Sequence, residues 1–191
     1  MRIILASQSP RRKALLEQMG IKDYEIIVSQ IEEKMDFNLR IEEQVKKLSY
    51  QKAKTIFDKT QGDRIVIGAD TIVKKDNRIY GKPKDKEDAM TMLKELKNSE
   101  VNVITAMTVL LQDKEKIIEK MDSTITEIQI KDMTDKEIEK WINTGKAVDK
   151  AGAFSIQDEF CIYIEKVVGD YNGAIGLSTS KLYDMMKEYI F

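Results

Sequence analysis

The chain contains no histidine in its 191 residues. That absence removes the imidazole base, the Ser–His triad and His-ligated zinc. Acid–base work therefore falls to carboxylates, lysines or a metal-bound water, and a cation, if held, takes oxygen ligands, which favours magnesium or manganese. A single cysteine, Cys161, excludes a disulfide within the chain. It lies in the apolar run Cys161-Ile162-Tyr163-Ile164 and reads as a packed residue of a core strand. No apolar run approaches the roughly 20 residues that span a bilayer, and no signal peptide precedes the first apolar segment, so a cytoplasmic protein is expected. An excess of either charge is lacking too. The 32 Lys+Arg and 33 Asp+Glu leave a net charge of −1, which argues against a general nucleic-acid or membrane-surface binder. Glycine-rich phosphate loops of the Walker kind, GxGxxG fingerprints, repeats and low-complexity segments are all missing.

What is present is a chain 42% hydrophobic, long enough for one domain or two small lobes sharing a core. Apolar Ile3–Ala6 predicts a strand, and Pro10 opens a helix that runs to Gly20, with Ser9 as candidate N-cap. Strand patterns follow at Tyr24–Val28 and Arg64–Lys75, on either side of a long helix from Ile41 to about Lys59. A turn at Lys75-Asp76-Asn77 leads into Arg78–Gly81, and Asp85 caps a helix through Lys97. Long strands at Val101–Leu111 and from Ile117 to about Lys131 meet near Asp113-Lys114. Thr134 and Glu137 form a capping-box signature for a helix closed by Gly145. A strand from Cys161 to Val168 and a helix from about Ser180 complete the pattern, which predicts an α/β fold on a mixed sheet.

Several features break their local pattern. The loop Ser7-Gln8-Ser9-Pro10-Arg11-Arg12 joins hydroxyls, two guanidinium groups and the free N–H groups of a helix start, a combination that favours anions such as phosphate. The plain alternative is an ordinary strand-to-helix turn with solvated arginines. Asp70 interrupts the apolar run from Ile65 to Val73, where an unpaired buried carboxylate is costly; it marks either a site carboxylate or a bulge at Gly68. Lys52 falls inside the apolar arc of Ile41, Val45, Leu48 and Ile56, so its ammonium either snorkels out or meets a buried partner. Lys46, Lys47 and Lys54 lie on or near the polar side. Glu32-Glu33 and Lys82 are unremarkable singly, but converging carboxylates could hold a divalent cation while lysines and arginines neutralise a polyphosphate.

Ser7–Arg12, Glu32-Glu33, Gln51–Lys54, Ile67–Thr71, Gly81-Lys82-Pro83, Asp149–Gln157 and Gly169-Asp170-Tyr171 with Gly176-Leu177 come in the order and spacing of the Maf family, which this chain resembles over essentially its whole length. That family is known as nucleoside triphosphate pyrophosphatases and is linked by name to septum formation. The resemblance implies a fold like that of inosine triphosphate pyrophosphatases: one domain over 1–191, a mixed twisted sheet with long hairpin strands and flanking helices, elongated and two-lobed with a deep central cleft, commonly dimeric. It implies hydrolysis of a nucleoside triphosphate to the monophosphate and pyrophosphate with a divalent cation, Mg²⁺ or Mn²⁺. Asp70 matches the proposed base and Glu33 the second acidic position, the two holding the metal. Ser7, Arg12, Lys52 and Lys82 match positions around the phosphates, with Asp149 and Lys150 in support.

Arg11, Thr71 and Gln157 match the residues of the subfamily acting on dTTP and UTP. A homodimer is expected, with neither nucleic-acid nor membrane partner. Where the family usually reads Gly-Ile-Gln-Gly, this chain has Ser155-Ile156-Gln157-Asp158-Glu159, and Ser178 replaces the usual proline after Gly-Leu. Two other readings stay open: a non-catalytic nucleotide-sensing regulator of division, and a housecleaning pyrophosphatase with another base preference.

Overall fold

The computed structural model describes residues 1–29, 31 and 39–190. In chain order these are β1 (Arg2–Leu5), α1 (Pro10–Gln18), β2 (Glu25–Ile26), α2 (Ile41–Lys59), β3 (Arg64–Lys75), β4 (Arg78–Tyr80), α3 (Lys86–Leu96), β5 (Ser99–Asp113), β6 (Lys116–Ile130), α4 (Asp135–Asn143), β7 (Ile164–Val168), α5 (Tyr171–Ile175) and α6 (Thr179–Ile190). The strands form one mixed sheet in the order β2-β1-β3-β5-β6-β7, with β4 paired to β3. Most of the helices and strands read from the sequence are observed, α5 is an addition to them, and the fold is mixed α/β. The chain divides into two compact units, Met1–Asp70 with Thr105–Thr124 and Gly176–Phe191, and Thr71–Ile104 with Ile125–Ile175.

In the first unit β1 pairs in parallel with β2 on one side and with β3 on the other, in register from Arg2↔Arg64 to Leu5↔Ile67. Such strands are buried on both faces, which is why Ile3–Ala6 and Ile65–Ile67 read as unbroken apolar runs. The strand expected over Tyr24–Val28 is only Glu25–Ile26; both residues are exposed at the sheet edge, where no second apolar face extends the pairing. Helix α2 buries Val45, Leu48, Ala53, Ile56 and Phe57, and the core gathers Ile4, Ala6, Val66 and Leu110 around the last three. At Gly68 an added Cβ would stand 2.4 Å from Ser49 O and 2.7 Å from Ala53 N. This glycine marks the point where the backbone of α2 presses onto β3. The buried Ser49 Oγ lies 2.8 Å from Thr108 Oγ1, a second tie between α2 and the sheet. Ser178 is fully buried, and its hydroxyl accepts from Lys181 N, capping α6 in place of a proline at its start.

In the second unit the β3–β4 hairpin turns at Asp76, whose φ is 51°. Asp85 caps α3 by accepting from Asp88 N, and the Thr134–Glu137 capping box opens α4. The unit's aromatic core sets Trp141, Phe154 and Tyr163 around Phe160 with ring centroids 5.3–5.8 Å apart. Residues Asp158–Tyr163 form a 3₁₀ turn, and the strand begins only at Ile164. This corrects the reading of Cys161. The three-residue period carries Phe160 inward and leaves Cys161 exposed and Ile162 63% exposed.

Candidate active site

Strand order 2-1-3 with β1 parallel to both neighbours makes the carboxyl end of β1 the point where the chain first crosses to one side and then to the other. In open α/β sheets ligands sit outside the carboxyl ends of strands at such a point. Ala6 N donates to Ile67 O at 2.8 Å, so the loop after β1 emerges beside the last part of β3 within the first unit, Gly68-Ala69-Asp70. The loop is ordered by Ser7, which is buried: its hydroxyl accepts from Ser9 N at 3.2 Å and from Arg12 Nη1 at 3.1 Å. Arg12 Nε also donates to Gly176 O at 2.9 Å, tying α1 to the segment that enters α6. Ser9 occupies the N-cap position of α1, but among the described residues its side chain makes no capping bond. The first N–H groups of α1 are thus not closed by the serine side chain that the sequence offered.

Asp70 is 5% exposed and Lys52 9%, and Lys52 Nζ donates to Asp70 Oδ1 at 2.5 Å. Both halves of this pair follow from local structure. The close approach at Gly68 brings one face of α2 against β3, and Lys52 lies one residue before Ala53, whose backbone makes that approach. The lysine inside the apolar arc therefore meets a buried partner rather than snorkelling to solvent. A carboxylate has about four lone-pair sites, so the bond to Lys52 leaves Asp70 with acceptor capacity for a water or a cation. Glu32 and Glu33 lie outside the described residues. Among the described residues no group of three carboxylates, cysteines or histidines gathers to form a cation cage. The buried Asp70 carboxylate, with acceptor capacity to spare, fits magnesium, which takes one or two carboxylates and completes its shell with other oxygens.

The second unit carries Thr71, Lys82, Asp149, Lys150 and Gln157. Gly152 N donates to Gly81 O at 2.9 Å, which sets the turn bearing exposed Lys82 against the one following Asp149 and Lys150. Lys150 is buried, and its ammonium donates to Lys146 O at 2.7 Å and Asp149 Oδ1 at 3.0 Å and lies over the Trp141 ring. Gln157 is exposed on the turn before the 3₁₀ segment, where Asp158 adopts a φ of 57°. Asp tolerates this left-handed conformation, so a chain without glycine here still makes the turn. The structure thus joins Lys52 to Asp70, Ser7 to Arg12, and the Lys82 turn to Asp149–Lys150. Arg11 is half-buried on the first turn of α1. Lys146, which sequence reasoning did not single out, is bound to Glu159; that hydrogen bond raises the Lys146 pKa and lowers that of Glu159.

Comparison with known proteins defines the family. A family model described as "Maf-like protein" matches residues 2–189, and the chain belongs to that family. A protein named dTTP/UTP pyrophosphatase from Alkaliphilus metalliredigens strain QYMF is 42% identical over 188 residues, covering 98% of this chain and 96% of that one. One of the same name from Clostridium botulinum strain Eklund 17B is 41% identical over the full length of both chains. Among solved structures, a nucleoside-triphosphatase / dITP/XTP pyrophosphatase from Mycobacterium abscessus shares 14% identity over 68% of this chain and 74% of its own, with a TM-score of 0.40. A likeness that slight carries no argument.

Proposed function

We propose that this chain is a nucleoside triphosphate pyrophosphatase that hydrolyses dTTP and UTP to the monophosphate and pyrophosphate. The observation that carries the reading is the buried Lys52–Asp70 pair at the carboxyl end of a parallel strand pair, beside a loop of hydroxyl and guanidinium groups. It is supported by the full-length likeness to proteins named for that activity. Asp70 accepts the proton of a water whose oxygen attacks the α-phosphorus. The bond from that phosphorus to the α–β bridging oxygen breaks, and its electron pair leaves with pyrophosphate. Lys52 holds the carboxylate in place and balances its charge in a buried setting. Ser7, Arg12, Lys52 and Lys82 set fixed donors against the charge that develops on the phosphates, with Lys150, held by Asp149, in support. A divalent cation, Mg²⁺ or Mn²⁺, would be held by Asp70 together with Glu33; when bound it supplies charge neutralisation to the triphosphate. Arg11, Thr71 and Gln157 select the base, the Gln amide pairing with a carbonyl and an N–H on a pyrimidine edge. The working form is proposed to be a cytoplasmic homodimer.

The test is product analysis on dTTP, UTP, CTP, GTP, ITP and 7-methyl-GTP. Equimolar monophosphate and pyrophosphate from dTTP and UTP, lost on chelation and restored by Mg²⁺ or Mn²⁺, is the expected outcome. Turnover of other bases instead would move the reading to a housecleaning enzyme. Binding without turnover would move it to a sensing regulator.

A further inference from the structure

The turn that carries Gln157 is held by contacts that no step above requires. Ser155 is buried; its Oγ accepts from Gln157 N at 3.1 Å and donates to Asp158 Oδ2 at 3.2 Å. Phe154, Ile156 and Phe160 are buried on either side, so only Gln157, Asp158 and Glu159 reach the surface. The Asp158 carboxylate lies 3.6 Å from Lys146 Nζ through one oxygen and 3.6 Å from Lys150 Nζ through the other. Lys146 also holds Glu159 at 2.7 Å, and its own carbonyl receives Lys150 Nζ. One carboxylate is thus shared by the serine that fixes the Gln157 backbone and by a buried lysine assigned to the substrate.

We infer that Ser155 and Asp158 are positioning residues for base recognition: they fix the main chain of Gln157 and tie it to the ammonium of Lys150. The inference rests on the reading of Gln157 as a base-selecting residue. A side-chain amide discriminates only if its backbone anchor does not move when a base arrives. Two contacts within the turn and two ion pairs outside it supply that anchor. Asp158 does two jobs at one position, since its left-handed φ makes the turn and its carboxylate locks it.

The test is steady-state kinetics on the full chain with UTP, dTTP, CTP and GTP for Ser155→Ala, Ser155→Thr, Asp158→Gly and Gln157→Ala. Ser155→Ala removes both contacts within the turn, the one from Gln157 N and the one to Asp158. It is expected to raise KM for UTP and dTTP about 3- to 10-fold, narrow the preference over purines, and leave kcat within about twofold. Ser155→Thr keeps the hydroxyl and restores KM. Asp158→Gly adopts the same φ without strain and gives the same KM-only loss, which keeps the test open should Ser155→Ala not fold. Wild-type KM in Ser155→Ala or in Asp158→Gly, or a loss confined to kcat, overturns the inference. If Gln157→Ala shifts base preference while these variants do not, the inference alone fails. If Gln157→Ala leaves preference unchanged, the reading of Gln157 fails and the inference falls with it.

Discussion

Neither member of the Lys52–Asp70 pair can be removed alone without stranding the other in a buried setting. Breaking a buried ion pair by deleting one partner costs about 3–5 kcal/mol, because an uncompensated charge remains. Lys52→Met, which fits the apolar arc of α2, is expected to cost an amount in that range in urea unfolding. Adding Asp70→Asn to Lys52→Met is expected to restore more than half of it. Additive losses in the two single variants would show that the pair is not coupled. This residue-level feature was legible in the sequence because a charge inside an apolar stripe, and a carboxylate inside a strand, each demanded a partner. That they partner each other was not legible, since nothing in the spacing fixes how α2 lies on β3. The approach at Gly68 does so.

At the scale of elements, Gly68 is the contact on which α2 and β3 meet. A Cβ there would overlap backbone atoms of α2 rather than a flexible side-chain end. Gly68→Ala is therefore placed near the top of the overpacking range, about 3 kcal/mol. At about 2–4 °C per kcal/mol for a chain of this size, that is a fall of roughly 6–12 °C in Tm. A Tm within about 2 °C of the parent would contradict the close packing. Most element boundaries could be read ahead of the structure because period and caps agreed, as at Thr134–Glu137 and Asp85. Cys161-Ile162-Tyr163 could not, since a short apolar run fits a buried strand as well as a 3₁₀ turn folded onto one aromatic ring. Gly68 gave a signal, but a bulge and a close approach ask for the same residue.

Over the whole molecule, balanced charge leaves stability to local pairs rather than to net repulsion. Burial alone would lift the Asp122 carboxyl, but the Lys181 bond at 2.8 Å and the Ser123 N–H outweigh it and hold the pKa below its ordinary value. Lys97 does the same for Asp132, and Thr134 for Glu137. A carboxylate whose folded pKa is depressed stabilises the fold above its unfolded pKa and loses that contribution as pH falls through the folded one. Tm is therefore expected to be level above about pH 5 and to fall below about pH 4. Asp122→Asn should make the acid decline shallower. An unchanged acid limb would remove this pair from the account.

The claim on which the rest depends is that Asp70 takes the proton of the attacking water. The direct measurement is single-turnover hydrolysis of dTTP by wild type and Asp70→Asn, alongside nucleotide affinity of each at equilibrium. The account predicts a chemical step slowed about 10²- to 10⁴-fold in the variant, with dTTP still bound. Wild-type turnover by Asp70→Asn would contradict it.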